Sequence, residues 1–159
     1  MSELNHADKW APVPEIGSLL ECEGVTARVV QSPQRTLVSG DLAAFAQVCS
    51  APNLRLARDR TLVVGELDLL SGWHDAGFAL SDLSAGLALV ELSGPGLSAL
   101  AVKATTADPA NPGPSKVVTF AGVPAVLHAK GESLDLHVDR SLLAYLWTWL
   151  DAAIREQSA

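Results

Sequence analysis

The chain has 159 residues, of which 11 are Lys or Arg and 18 are Asp or Glu, for a formal net charge of −7 at neutral pH. The few basic residues are scattered. This argues against nucleic acid, whose partners gain affinity by releasing counterions to clustered cations, and against an anionic membrane surface. At 48% apolar the chain can close a sizeable core, as one domain or as two small lobes sharing an interface.

Residues 1–17 carry Glu3, Asp8, Trp10, Pro12, Pro14 and Glu15 and no apolar run, so they read as a flexible lead-in without a secretory signal. Val25, Ala27 and Val29 alternate with Thr26 and Arg28, the period of a half-buried strand. Ser39-Gly40-Asp41 supplies capping residues ahead of Leu42, Phe45, Ala46 and Cys49, whose spacing is helical, and Pro52 stops that helix. Residues 54–57 and 61–64, joined by Arg58-Asp59-Arg60, form an expected hairpin; 67–70 is a short helical candidate and 78–83 a further strand. The resulting order is that of a ferredoxin-like lobe.

The order then begins afresh, with a strand at 87–92, a turn at Gly94-Pro95-Gly96, a helix at 97–103, and a Pro-rich loop at 107–115. Strands follow at 117–120, 123–129 and 133–138, separated by Ala121-Gly122 and Lys130-Gly131 as turns. The expected fold is α+β, with two small lobes of antiparallel sheet packed with helices. The divisions are 1–17 as lead-in, 18–83 as first lobe and 84–159 as second lobe. No uncharged stretch reaches the roughly 20 residues of a membrane span. Cys22 and Cys49 lie outside any Cys-x-x-Cys, which points to buried or reduced thiols and a cytoplasmic protein.

The last helix, over 142–154, carries apolar residues around an arc of roughly 200° at about 100° per residue, wider than one sheet covers. Trp147 and Trp149 lie about 160° apart on that wheel, so they do not address one surface. Trp149 is assigned to the core. Tyr145 and Trp147 are the interface candidates, since large aromatics are enriched where subunits meet.

Side chains for chemistry are sparse. Gly94-Pro95-Gly96-Leu97-Ser98-Ala99 matches the dinucleotide pattern, but Pro95 removes an amide that would face a pyrophosphate, and no acidic residue follows about 20 residues on; it reads as a tight turn. His6 falls in the lead-in, and His74-Asp75 sits in a loop without a nucleophile. With Lys130-Gly131 as the turn, His128 faces Ser133 rather than His137, so the pair is not expected to bind metal. Glu66, Asp68, Asp135 and Asp139 alternate with apolar residues as a wet sheet face does. No catalytic, cofactor-binding or metal-ligating set emerges.

Two stretches carry a family resemblance. Asp82-Leu83-Ser84 with Leu87-Ala88-Leu89-Val90-Glu91-Leu92-Ser93-Gly94-Pro95 and Leu100 forms the first; Gly131-Glu132-Ser133, Leu136-His137-Val138, Arg140-Ser141 and Tyr145-Leu146-Trp147 form the second. Over residues 81–150 the chain resembles the gamma subunit of heterotetrameric sarcosine oxidase. Gly65-Glu66-Leu67-Asp68 followed by Trp73 stands where such subunits usually show a Gly-Pro-Asp-Glu-Trp-like segment.

The resemblance implies a fold related to the folate-binding region of glycine-cleavage aminomethyltransferases. It also implies an accessory, non-catalytic role docked on a larger subunit of an amine-demethylating complex. Flavins, NAD and tetrahydrofolate would belong to partner subunits, and this chain would bind none. Separately, the surplus apolar arc of the last helix is a self-complementary patch that could pair two copies in isolation. The alternative is a stand-alone folate-dependent aminomethyl or methyl transferase, or a folate-binding module. Active transferases place an aspartate in the stretch that matches Gly122-Val123-Pro124-Ala125-Val126, where this chain has no carboxylate to serve as a base.

Overall fold

Strands dominate because most apolar residues recur with a period of two, and each hairpin is closed by a residue suited to its turn. The computed structural model describes residues 12–22, 24–108 and 116–157. In chain order the elements are β1 (Leu19–Cys22), β2 (Val25–Val30), β3 (Arg35–Gly40), α1 (Leu42–Val48), β4 (Asn53–Ala57), β5 (Arg60–Val64), β6 (Gly72–His74) and β7 (Phe78–Asp82). There follow β8 (Leu87–Ser93), α2 (Leu97–Ala104), β9 (Val117–Phe120), β10 (Val123–Lys130), β11 (Ser133–Asp139) and, after a short 3-10 turn at Arg140–Leu142, α3 (Leu143–Gln157).

They build two antiparallel sheets, six strands in the order β1-β2-β8-β11-β10-β9 and five in the order β4-β5-β3-β7-β6. Strand β2 pairs with β8, Val29 opposite Val90, so β1 and β2 share a sheet with the C-terminal strands rather than with β3 to β7. Sheet membership therefore does not follow the division drawn at 83/84. Val25, Ala27 and Val29 pack in one buried cluster with Val90, Leu92 and Leu136, and burial against that larger face decides where β2 goes. The helix expected at 67–70 is absent. Leu67 and Leu69 instead dip alternately towards the core of the five-stranded sheet, and so short a run is not long enough to nucleate a helix. Residues 1–11 of the 1–17 lead-in, with His6, and residues 109–115 of the Pro-rich loop at 107–115 lie outside the described residues.

Local chemistry explains the ends. The Asp41 carboxylate accepts from the amides of Ala43 and Ala44, both at 3.0 Å, and so caps α1. Ala121 and Gly122 both have positive φ, 51° and 83°, the conformation a two-residue type I′ hairpin between β9 and β10 demands. Gly94, at φ 112°, lies so close to the β1–β2 turn that an added Cβ would sit 2.4 Å from the Gly24 carbonyl oxygen.

The principal core lies between the six-stranded sheet and the helices α2 and α3. Leu100, Leu146 and Leu150 close over Leu92, Leu127, Leu134 and Leu136, all fully buried. Phe120 meets Trp149 edge to face at 6.2 Å between centroids. The five-stranded sheet has a smaller core of Val38, Phe45, Val63, Phe78 and Leu80 under α1. Among the described residues no helix is long and apolar enough to cross a membrane.

Candidate functional site

The other face of the six-stranded sheet is turned towards the other face of the five-stranded one, and the layer between them mixes apolar with buried polar side chains. Leu54, Leu62 and Val126 form its buried cluster, with Leu56, Val64, Leu83 and Leu87 against them. Leu89, opposite His137, is buried there as well, and the layer's buried polar side chains are Arg35, Asp135 and His137. On β11 the alternation that sends Leu134, Leu136 and Val138 into the helical core sends Ser133, Asp135 and His137 the opposite way.

The hairpin register assembles the site. Lys130 pairs with Ser133, so the two turn residues are Gly131 and Glu132, with Gly131 at φ 59° as the first position of such a turn favours. His128 therefore lies directly opposite Asp135, and His137, opposite Val126, is its diagonal neighbour on the same face. This corrects two sequence expectations: His128 does not face Ser133, and Asp135 is not on a wet face, being only 2% exposed. One potential ligand atom from each of His128, Asp135 and His137 lies within 4.8 Å of the others.

Arg35, at the start of β3, enters the same layer from the other sheet and is 1% exposed. Its Nη2 donates to the carbonyls of Ser84 at 2.9 Å and Leu87 at 2.5 Å, and its backbone amide donates to Ser84 Oγ at 3.0 Å. Asp135 Oδ2 meets Lys130 Nζ at 2.5 Å. The satisfaction stops there. Among the described residues, the buried side-chain polar atoms without a partner are Arg35 Nε and Nη1, His128 Nδ1, Asp135 Oδ1, and both ring nitrogens of His137. Such groups ordinarily cost about 1–3 kcal/mol each when left unpaired, so their gathering in one layer calls for a cause.

Burial pushes the His137 imidazole down to about 4, with the Arg35 cation adding to the shift and Asp135 opposing it. His128 moves down for the same first reason, helped by Lys130 and opposed by Asp135. Both rings are therefore neutral at pH 7 and available as lone-pair donors. Arg35 is lowered to about 10 by burial and then by Arg140, against Asp82.

The other sequence candidates fall elsewhere. The Gly96 amide donates to the Gly24 carbonyl at 2.7 Å, so the turn that mimics a dinucleotide loop spends that donor on the neighbouring hairpin. His74 Nε2 lies 2.8 Å from the Leu70 carbonyl and its ring stacks on Phe78 at 4.8 Å. The stretch 122–126 forms a turn and the start of β10, with Val123 and Ala125 in the core. On α3, Trp147 and Trp149 both lie partly buried against the core, while Tyr145 is 55% exposed. Sequence reasoning passed over Leu70 and Trp73 at the β6 edge, which are 85% and 70% exposed, and it passed over Arg35. No spacing signal marks Arg35, whose role comes from a contact across two sheets. An apolar groove of about 650 Å³ runs between α2 and the tip of the β10–β11 hairpin, bordered by Leu97, Ala101, Val102 and Leu134.

Comparison with known proteins places this architecture. With a TM-score of 0.69 and 21% identity, 94% of the chain superposes on 90% of a chain from the heterotetrameric sarcosine oxidase of Corynebacterium sp. U-96, solved in complex with pyrrole 2-carboxylate. No curated protein sequence matches significantly. Residues 59–156, covering β5 through α3, match the description "Sarcosine oxidase, gamma subunit family". The chain belongs to the sarcosine oxidase gamma subunit family.

Proposed function

We propose that this chain is the accessory, non-catalytic gamma-type subunit of a heteromeric, cytoplasmic, sarcosine-oxidase-like complex that oxidatively demethylates a secondary or tertiary amine. The observation that carries this reading is the family membership across residues 59–156. The near end-to-end fit to one chain of a heterotetrameric sarcosine oxidase supports it. In this reading flavins, NAD and tetrahydrofolate sit on partner subunits and this chain holds none of them. Its contribution is a surface. Tyr145, exposed on α3, and the neighbouring Trp147 dock on the larger subunit, and the same patch pairs two copies when the chain is alone.

Co-expression of the tagged chain with the large subunit of a sarcosine-oxidase-like complex tests the proposal. The two should co-purify, and amine-dependent oxidase activity should appear only in the assembled complex. Failure of the wild-type chain to co-purify overturns the accessory role. Titration of the isolated chain with tetrahydrofolate, followed by Trp fluorescence, addresses the transferase alternative. Micromolar or tighter binding would replace the accessory reading with a folate-binding one.

A further inference from the structure

We propose that His128, Asp135 and His137 form a binding site for one divalent first-row transition-metal ion of the zinc class. The site is independent of the docking role above. Three observations converge on it. The donors are two imidazoles and one carboxylate, a nitrogen-rich set that suits zinc, cobalt or nickel and does not suit magnesium or calcium, which take oxygen. Hairpin pairing fixes their placement, with one direct rung and one diagonal on the same sheet face, and their ligand atoms already lie within 4.8 Å of one another. A tetrahedral zinc site holds its donors about 3.4 Å apart, so these donors need close by no more than about 1.4 Å.

The third observation is the set of orphaned atoms. His128 Nδ1, Asp135 Oδ1 and a ring nitrogen of His137 are buried and unpartnered, and one metal ion would satisfy an atom on each of the three residues. The Lys130 pair occupies Oδ2 of Asp135 and leaves Oδ1 available, so coordination there does not require the ion pair to break. Lys130 and Arg35 are cations facing the site, and Lys116 acts on His128 from the residue before β9; Asp135 and Glu91, its partner across from β8, are the anions. Lys130 is the electrostatic opponent of a divalent ion. Its side chain is 49% exposed and free to swing into solvent, and half-buried His128 marks the open side of the layer. Three protein ligands leave a coordination position open for water or for a group from a partner subunit.

The test uses the full chain stripped with a chelator and titrated with Zn2+ by calorimetry and with Co2+ by its visible absorption. One equivalent should bind at micromolar or tighter affinity and raise the melting temperature. His128→Ala and His137→Phe should each weaken binding at least about tenfold, since even outer-shell losses at metal sites cost that much. Both variants should retain the far-UV spectrum of the parent; if either unfolds, Asp135→Asn is read in its place. Lys130→Met should tighten binding severalfold, the result a purely structural ion pair would not give. Absence of a stoichiometric site overturns the proposal. So does binding that survives both histidine variants, or binding lost instead in His6→Ala or Cys22→Ser.

Discussion

The two faces of the six-stranded sheet have opposite characters. Towards the helices lies a continuous apolar core in which Leu92, Leu100, Leu127, Leu136, Leu146 and Leu150 are fully buried. Towards the second sheet lies a layer in which buried Leu54, Leu62, Leu89 and Val126 share the space with Arg35, Asp135 and His137. Adjacent residues show the contrast most sharply, since Leu136 and His137 are 0% and 1% exposed and point to opposite faces of one strand. One face has been selected for packing and the other for keeping polar groups dry, so equal burial does not mean equal contribution to stability.

The largest expected effect tests the packed face. Leu136→Ala or Leu146→Ala should cost about 2–5 kcal/mol in chemical denaturation, because each removes a fully buried side chain under closed helices. A loss below about 1 kcal/mol would show that α3 does not clamp the sheet.

The pH profile probes the polar face next. His137 titrates near 4 in the folded chain against about 6.5 when unfolded. Above pH 6.5 both states carry a neutral ring and the contribution is fully present. As pH falls towards 4, the unfolded chain takes up a proton that the folded chain refuses, so stability drops by on the order of 2–3 kcal/mol across that window. Urea denaturation at intervals of pH should trace this fall, and His137→Phe should flatten it.

At neutral pH and without metal, His137→Phe should change stability by less than about 1 kcal/mol, because replacing an unpartnered buried polar group with an apolar ring is nearly neutral. A cost equal to that of Leu136→Ala would erase the distinction between the faces. The smallest effect belongs outside both layers. Tyr145→Glu should alter the melt of the isolated chain by no more than about 0.5 kcal/mol, as exposed substitutions do, while removing the chain from its complex. A large destabilisation would show Tyr145 to be structural.

The sequence made the antiparallel α+β class, the α1 cap at Asp41 and the final helix legible, because these depend on periodicity and local chemistry. The β10–β11 register was not. Moving the turn from Lys130-Gly131 to Gly131-Glu132 shifts every partner by two residues and leaves each side chain on its original face. Hydrophobic alternation is therefore blind to the choice, and the candidate site hung on it. The β2–β8 pairing and the entry of Arg35 were hidden for a different reason, since both join segments far apart in the chain.

The insertion of β3 to β7 between β2 and β8 also has a consequence for synthesis. Val29 waits for Val90, its partner on β8, to leave the ribosome, an interval of roughly 3–12 s at ordinary elongation rates. Through that interval β1 and β2 are a bare hairpin, marginal on its own, with Val25, Ala27 and Val29 uncovered. All five strands of the second sheet emerge before β8 is complete. The middle of the chain thus becomes compact first, and the nascent N-terminal hairpin is the segment most in need of shelter by a chaperone.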